Sequence, residues 1–287
     1  MKAVVTLCIG KEYSLGELTH PLLAAYAKKV DADFIVIDSE KLNLGYLHYE
    51  KYQIYDLLER YERIIYLDTD VIVTPECPNL FEIVPEEKFG AFLVSNHTYF
   101  HDGSIKDIQN ELGNINWERT YFNSGVMVVS QAHRQVFSVD NNLLAWAKTK
   151  RAFIEQTILN YTIQKLGIEI HDIDYKFNHT THTKNSNLRF GRRINQLLTM
   201  TNSLIGLISP EYLKEQEQRN KPDRYIIYYK GKEPIKHRVQ SYIIHYTGKG
   251  HRQKGSKLEQ IRKDLSIINN NFLASSVSFL PFIERFI

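Results

Sequence analysis

Apolar positions in the first quarter of the chain follow two alternating spacings. Three short apolar runs, at residues 3–9, 34–37 and 63–67, are predicted to be strands, and the first has the pattern of a strand buried on both faces. Between them, apolar residues recur at helical spacing over residues 15–30 and 47–61. This order of strand, helix, strand, helix and strand predicts an α/β fold with a largely parallel sheet and right-handed crossovers.

The rest of the pattern predicts further strands and two long helices. The strands are predicted at residues 89–95, 121–130, 168–170, 225–229 and 241–246. The helices are predicted at residues 131–150 and 153–166. Two polar stretches, residues 96–119 and 178–196, lack periodicity. Long loops in compact domains often act as lids or binding loops, so we expect these two to form an acceptor site.

Composition changes at residue 252 and divides the chain in two. The main domain is predicted to cover residues 1–251. The tail, residues 252–287, begins with lysines and arginines and ends in an apolar, aromatic segment. It is predicted either as a helix docked on the domain or as a segment that lies on an anionic membrane surface.

Overall composition is that of a globular enzyme, with 43% hydrophobic and 24% charged residues. The net charge of +3 is nearly balanced, so nucleic acid is not an expected partner. Two cysteines fit a reducing compartment, and the apolar run at residues 3–9 is too short to span a membrane. We therefore expect a cytoplasmic protein, with peripheral contact at the inner face of a membrane as an option for the tail.

Three Asp-x-Asp pairs are candidates for a metal or phosphate site. Ligands of open α/β sheets bind outside the carboxyl ends of the strands. Asp31 with Asp33 precedes its predicted strand and therefore lies at the wrong end. The pair of Asp68 and Asp70 directly follows a strand, and residues 172 and 174 are a secondary candidate for the same reason.

Carboxylates such as Asp68 and Asp70 suit Mg²⁺ or Mn²⁺, with phosphate oxygens and water as the other ligands. A solvated turn is one alternative interpretation. Another is a phosphatase of the haloacid dehalogenase type, which also has Asp-x-Asp-x-Val at a strand end. Such an enzyme needs a second acidic pair, here residues 172 and 174, and usually has Gly-Thr where this chain has Val71-Ile72.

Five segments, in order, resemble the family 8 glycosyltransferases, which include glycogenin and bacterial lipopolysaccharide galactosyl- and glucosyltransferases. They are residues 5–13, Lys51 with residues 63–73, Phe122-Asn-Ser-Gly-Val-Met-Val128, Glu155-Gln-Thr-Ile-Leu-Asn160 and His245-Tyr-Thr-Gly248. The resemblance spans residues 1 to about 251. It implies a GT-A fold and a retaining, metal-dependent transfer of a hexose. UDP-glucose or UDP-galactose would be the donor and a glycan or glycolipid the acceptor, as in polysaccharide biosynthesis.

The resemblance also implies roles for individual residues. Asp68, Asp70 and His245 would hold Mn²⁺ or Mg²⁺, while Glu155 and Gln156 would lie at the anomeric centre as catalytic residues. Asn123 and Ser124 would hydrogen-bond sugar hydroxyls. The remaining contacts to the nucleotide and its phosphates would come from Leu7, Cys8, Ile9, Tyr13, Thr69, Gly248 and Lys249.

The chain departs from the family pattern at two points. The family's Lys-Pro-Trp after His-x-x-Gly is replaced by His251-Arg-Gln253, so a phosphate contact must come from Lys249, His251 or Arg252. In addition, Glu155 stands where the family has aspartate.

Lys51 carries a signal of its own, because it lies on the apolar face of the helix predicted at residues 47–61. A buried lysine needs an anionic partner, here a donor phosphate or an active-site carboxylate. The alternative is an aliphatic stem that reaches out to water.

Retaining glycosidases use two carboxylates about 5 Å apart. The sequence shows no comparable pair, so we expect attack on the same face of the sugar, with the leaving phosphate taking the acceptor's proton. A non-catalytic nucleotide- or glycan-binding module is the remaining alternative. The intact Asp68, Asp70, Gln156 and His245 argue against it.

Overall fold

The computed structural model describes residues 1–96, 101–117, 120–149, 154–180, 240–247 and 257–274. Within these ranges the strands are β1 (Lys2–Leu7), β2 (Asp33–Ile37), β3 (Arg63–Leu67), β4 (Val71–Val73), β5 (Phe89–Phe92), β6 (Asn123–Ser130), β7 (Ile170–Asp172), β8 (His179–Thr180) and β9 (Ile243–His245). The α-helices are α1 (Tyr13–Lys29), α2 (Ile54–Leu57), α3 (Leu80–Ile83), α4 (Asp102–Leu112), α5 (Asn141–Ala147), α6 (Ile154–Lys165) and α7 (Lys257–Ala274).

The main sheet has six strands in the order β2-β1-β3-β6-β5-β7. Strand β1 is parallel to β2 and β3, and β5 is parallel to β7. Strand β6 is antiparallel to both of its neighbours, β3 and β5. The predicted α/β fold with a mostly parallel sheet is therefore confirmed, and β3 lies near its middle.

Both faces of the sheet are covered, as the continuous apolar runs predicted. On β3, Ile64 and Tyr66 belong to one core cluster, together with Ile158 of α6. The alternate residues Ile65 and Leu67 belong to a second cluster, which contains Leu23 of α1. Successive side chains of β3 thus point to opposite faces of the sheet, and each face packs in its own core cluster. The carboxyl end of β3 is consequently held from both sides.

A second sheet has three short strands in the order β4-β9-β8. Its strand β4 follows β3 in the chain after three residues. Strand β9 is antiparallel to β4, with His245 opposite Val71, and parallel to β8. A strand at residues 241–246 was predicted, but β4 and β8 were not. This small sheet brings the residues around 245 next to the loop that follows β3.

Helix α7 packs against the small sheet. Its buried Ile261 and Ile268 lie in a cluster with Ile72 and Ile244. The buried carboxylate of Asp264 accepts a 2.7 Å hydrogen bond from the Tyr246 hydroxyl. Of the helices that the structure describes, none has the length and apolar character needed to cross a membrane.

The structure corrects several predicted helices. The helix predicted at residues 47–61 begins as a 3₁₀ helix, Leu47–Gln53, before the short α2. The one predicted at residues 131–150 is divided into a 3₁₀ helix, Gln131–Phe137, and α5. The division occurs because the Asp140 side chain caps the new helix by accepting from the Leu143 amide.

The prediction of an irregular loop at residues 96–119 was wrong, because it contains α4. Only Ile105 and Ile108 are buried on this helix, so its apolar stripe is too narrow to give a clear period. Helix α4 ends at Gly113, whose φ of 108° suits glycine. The strand predicted at residues 225–229 and most of the polar stretch at residues 178–196 lie outside the described residues.

Candidate active site

The Asp68-Thr69-Asp70 triplet leaves the carboxyl end of β3 with its middle residue fixed inside the fold. The Thr69 hydroxyl donates to the Leu7 carbonyl at 2.9 Å and lies 3.1 Å from the Thr6 hydroxyl. Its own carbonyl accepts from the Thr19 hydroxyl at 2.7 Å. The buried Thr69 side chain therefore fixes the backbone between the two carboxylates.

Pairing of β9 with β4 brings His245 to the two aspartates. The His245 Nε2 atom lies 3.2 Å from Asp70 Oδ1 and 3.5 Å from Asp68 Oδ2. One ligand atom from each of the three residues falls within 4.8 Å of the other two. Two carboxylates and an imidazole at this spacing fit Mn²⁺ or Mg²⁺ with open positions for phosphate oxygens. The three residues predicted as metal ligands thus meet at one point.

A chain of hydrogen bonds fixes which nitrogen of His245 faces the aspartates. The backbone N–H of Gly125 donates to Asn123 Oδ1 at 2.9 Å, and Asn178 Nδ2 donates to the same oxygen at 2.9 Å. Asn178 Oδ1 is therefore the atom 2.8 Å from His245 Nδ1, and it accepts from that nitrogen's hydrogen. Nε2 is therefore the nitrogen that faces Asp68 and Asp70, and its lone pair is the one that a bound metal would take.

Gly125 makes room for this arrangement. A β-carbon at residue 125 would lie 2.1 Å from His245 Cε1 and 2.9 Å from Asp68 Oδ2. The Gly125 carbonyl also accepts from the Asp68 amide at 2.8 Å. The sequence contains this glycine in the Phe-Asn-Ser-Gly segment, but no sequence pattern indicates its role or that of Asn178.

Lys51 is 1% exposed and lies between two carboxylates. Its Nζ atom is 2.9 Å from Glu155 Oε1 and 3.1 Å from Asp68 Oδ1, and it donates to the Ser124 carbonyl and hydroxyl at 3.3 Å. Burial lowers the Lys51 pKa, but the charges of Asp68 and Glu155 outweigh burial and hold the pKa above its usual range. Of the partners predicted for this lysine, the structure shows active-site carboxylates.

The two aspartates have lowered pKa values despite their partial burial. Burial raises the pKa of Asp68, but the charges of Lys51 and His245 outweigh it and leave the pKa below the usual range. For Asp70, the opposing contributions come from His245 and Lys257, and its pKa is likewise lowered. The Tyr66 hydroxyl donates to Asp68 Oδ1 at 2.8 Å as well. The site therefore holds two negative charges ready for a cation.

The site contains a further pair of carboxylates that the sequence did not reveal. Glu155 and Asp68 stand on either side of the Lys51 ammonium group, which neutralises the space between them. Sequence spacing could not reveal this pair, because Glu155 reaches the site from α6 and Asp68 from β3.

Two of the segments that resemble the family, residues 122–128 and 155–160, are hydrogen-bonded to each other beside this pair. Gln156 Oε1 accepts from the Ser124 amide at 3.1 Å. The Asn160 side chain accepts from the Phe122 amide at 2.8 Å and donates to the Phe122 carbonyl at 3.0 Å. Helix α6 is thereby fixed to the start of β6, and Glu155 and Gln156 lie next to Ser124.

The residues predicted to bind the base lie at the end of β1. The Tyr13 side chain is 53% exposed, and its hydroxyl donates to the Asp38 carbonyl at 3.3 Å. The Cys8 amide donates to the Ile37 carbonyl, and the Leu7 carbonyl accepts from Thr69, so both groups already have partners within the fold. Ile9 precedes the 3₁₀ helix that leads into α1. Gly248, Lys249, His251 and Arg252 lie outside the described residues.

The secondary aspartate pair does not join the site. Asp172 lies on β7, which is three strand spacings, about 14 Å, from β3. Its carboxylate accepts from the Leu93 amide, and Asp174 caps a 3₁₀ helix by accepting from the Lys176 amide. This pair therefore has structural contacts of its own and does not supply the second acidic pair that a phosphatase would need beside Asp68.

One residue enters the site that sequence reasoning did not predict. Lys257, the first residue of α7, has its Nζ atom 2.6 Å from Asp70 Oδ2. The sequence did not indicate a role for Lys257 in the site, because this lysine belongs to the tail, whose composition differs from that of the main domain.

Comparison with known proteins agrees with this geometry. Residues 37–251 match the glycosyl transferase family 8. Among solved structures, the galactosyltransferase LgtC, in complex with donor and acceptor sugar analogues, is similar with a TM-score of 0.54 and 14% identity. The match covers 93% of this chain and 95% of that one.

Two other glycosyltransferases are also similar in fold. One is involved in glycosylation of the major capsid of PBCV-1; it has a TM-score of 0.50 and 12% identity, over 91% of this chain and 98% of that one. The other is the bifunctional WbbM, with a TM-score of 0.51 and 15% identity, over 93% of this chain and 49% of that one. No curated protein matches the sequence significantly. The expected GT-A fold is confirmed.

Proposed function

The chain belongs to glycosyl transferase family 8, and on this basis we propose that it is a metal-dependent, retaining hexosyltransferase. It transfers glucose or galactose from the UDP-sugar to a glycan or glycolipid acceptor. The observation that carries this proposal is the cluster of Asp68, Asp70 and His245 at the carboxyl end of β3, where ligands of α/β sheets bind.

Asp68, Asp70 and His245 would hold a divalent cation, Mn²⁺ or Mg²⁺, which would supply Lewis-acid stabilisation of the departing diphosphate. The protein's own residues position everything else. Tyr13, the first residue of α1, offers an exposed ring for stacking on the base, and Leu7, Cys8 and Ile9 at the end of β1 offer backbone groups to it. Asn123 and Ser124 supply polar groups beside the hexose.

Lys51 supports retention of the anomeric configuration. Its ammonium group engages both Glu155 and Asp68, so neither carboxylate is free to act as a nucleophile or base without losing a buried ion pair. The acceptor oxygen then attacks the anomeric carbon from the side on which the carbon–phosphate bond breaks. The departing phosphate oxygen takes the acceptor's proton, and the products are UDP and the glycoside. Gln156, beside Ser124, lies where it can orient the sugar.

The two alternative functions lose their support. A phosphatase would need a second acidic pair at the site, but Asp172 and Asp174 lie at the end of β7, three strands away from β3. A non-catalytic module is disfavoured because the family and the similar folds are those of transferases.

Peripheral membrane contact is a separate part of the proposal. Ile261 and Ile268 of α7 are already buried against the small sheet, so these apolar residues are not available to lipid. The tail, residues 252–287, has other basic and aromatic residues, and we propose that these contact an anionic membrane surface. Sedimentation with phosphatidylglycerol vesicles, for the full chain and for one ending at residue 274, tests the contribution of residues 275–287.

A panel of nucleotide-sugars with Mn²⁺ tests the main proposal. Thermal shift and donor hydrolysis should both select a UDP-hexose, and Asp70→Ala should abolish both responses. Asp172→Ala is the matched control, because it alters an Asp-x-Asp pair outside the site. Full activity of Asp70→Ala would contradict the metal role, and an inverted product anomer in an NMR assay would contradict the retaining mechanism.

A further inference from the structure

Asp70 is held by two different partners. Its Oδ1 atom lies 3.2 Å from His245 Nε2, and its Oδ2 atom lies 2.6 Å from Lys257 Nζ. The side chains of Lys257 and Asp70 are 22% and 16% exposed, so the pair lies at the mouth of the site. The ammonium group thus interacts with one of the three residues that would hold a cation.

The position of Lys257 is set by the docking of α7. One and two turns further along this helix, Ile261 and Asp264 are fully buried. Asp264 accepts from the hydroxyl of Tyr246, the neighbour of His245, and the Tyr246 amide donates to the Asp70 carbonyl at 2.9 Å. Packing of α7 therefore holds the first residue of the helix beside the aspartate.

Charge weakens this contact when a cation binds alone. A divalent cation bound to Asp70 would face the Lys257 ammonium group at short range, and like charges repel. The repulsion favours a position in which the ammonium group pairs with another negative group. The proposed donor brings a diphosphate to the same point, and its oxygens accept readily from an ammonium group.

We propose that Lys257 is an exchangeable counter-ion. It pairs with Asp70 when the site holds no cation, and it pairs with the donor's diphosphate when cation and donor are bound together. This inference rests on the proposed function. It also supplies the phosphate contact left open by the replacement of the family's Lys-Pro-Trp, from a residue six positions beyond His251.

Replacement of Lys257 has effects of opposite sign on the two ligands. In Lys257→Met, Mn²⁺ alone no longer competes with an ammonium group, so its affinity should rise by up to about fivefold, as for loss of an exposed ion pair. UDP in the presence of saturating Mn²⁺ loses a charged hydrogen bond, so its affinity should fall about tenfold or more. A purely structural lysine would weaken both.

Isothermal titration with MnCl₂, and then with UDP at saturating Mn²⁺, measures both effects. Lys257→Arg should keep UDP affinity within a few-fold of the wild type, since it keeps the charge. Lys263→Met, an exposed lysine on the same helix, should match the wild type in both titrations. Circular dichroism melting of each variant reports whether the fold is retained.

The outcomes separate this inference from the proposed function. Wild-type binding of Mn²⁺ and UDP, with Mn²⁺ affinity unchanged or lowered in Lys257→Met, would overturn the exchange and leave the function standing. Unchanged UDP affinity in that variant would also overturn it. A wild-type protein that binds neither Mn²⁺ nor UDP would contradict the proposed function and the exchange with it.

Discussion

Gly125 lies so close to His245 that a β-carbon at residue 125 would fall 2.1 Å from Cε1 of the imidazole ring. Gly125→Ala must therefore displace the ring or the loop that follows β3. We expect Mn²⁺ affinity to fall at least tenfold, because Nε2 leaves the position facing Asp68 and Asp70. Isothermal titration measures this loss.

The matched control for Gly125 is Gly103→Ala in α4. A β-carbon there meets nothing within 4 Å, and alanine favours a helix. This variant should bind Mn²⁺ like the wild type. Equal Mn²⁺ affinity in the two alanine variants would contradict the steric account of Gly125.

Lys51→Met should destabilise the fold strongly. It leaves Asp68 and Glu155 buried with no ammonium group between them, a loss of about 3–5 kcal/mol in the free energy of unfolding. Urea denaturation measures it. The exposed pair of Lys88 and Glu169 gives the control, since Lys88→Met should cost no more than about 1 kcal/mol.

A second variant separates charge from packing at Lys51. Adding Glu155→Gln to Lys51→Met removes one of the two uncompensated carboxylates, so the double variant should be more stable than Lys51→Met alone. The double variant could instead be less stable than Lys51→Met by the full free-energy cost of Glu155→Gln measured alone. That result would show that packing, not charge, dominates.

Asn178→Leu should weaken Mn²⁺ binding about 10- to 100-fold, because Nδ1 of His245 loses its acceptor and the ring loses its fixed tautomer. Asn178→Asp keeps an acceptor for Nδ1–H and should retain most of the affinity. The ring-nitrogen NMR shifts of His245 should indicate hydrogen on Nδ1 in the wild type. A wild-type signal from the opposite tautomer would contradict the hydrogen-bond chain.

Acid should destabilise the metal-free protein through its aspartates. The pKa of Asp70 is lower in the folded protein than its ordinary value of 3.8, so its contribution to stability is present above that value. The contribution is lost as pH falls through the lower folded pKa. The unfolding free energy should therefore drop below about pH 4, and less steeply in Asp70→Asn. Urea unfolding at several pH values measures this dependence for both proteins. Parallel curves of unfolding free energy against pH for the wild type and Asp70→Asn would contradict the prediction.

The sequence predicted the strands that are buried on both faces, because continuous apolar runs have one simple explanation. It also predicted His245 beside the aspartates, although only through a family resemblance. It failed at α4, where the buried stripe is two residues wide, and at β4 and β8, which are two or three residues long. Such short elements form because of their tertiary partners rather than local preference.

The residues that were missed share one property. Asn178 and Lys257 act on His245 and Asp70 only because β9 and α7 dock where they do. In the sequence, Asn178 is an ordinary asparagine after a phenylalanine, and Lys257 is one basic residue among several. No local pattern reports a contact that depends on long-range packing, so these roles could be found only in the folded structure.

The pairing of β4 with β9 has a consequence for synthesis of the protein. Asp70 and Lys257 are 187 residues apart in the chain, and His245 arrives almost as late. Because translation proceeds from the N-terminus, a ribosome will have made β1 to β7 long before it supplies β9. A nascent chain can fold its main sheet and bury Lys51 between Asp68 and Glu155 while the cation site still lacks its imidazole. The cluster of Asp68, Asp70 and His245 is therefore completed only after residue 245 has been synthesised.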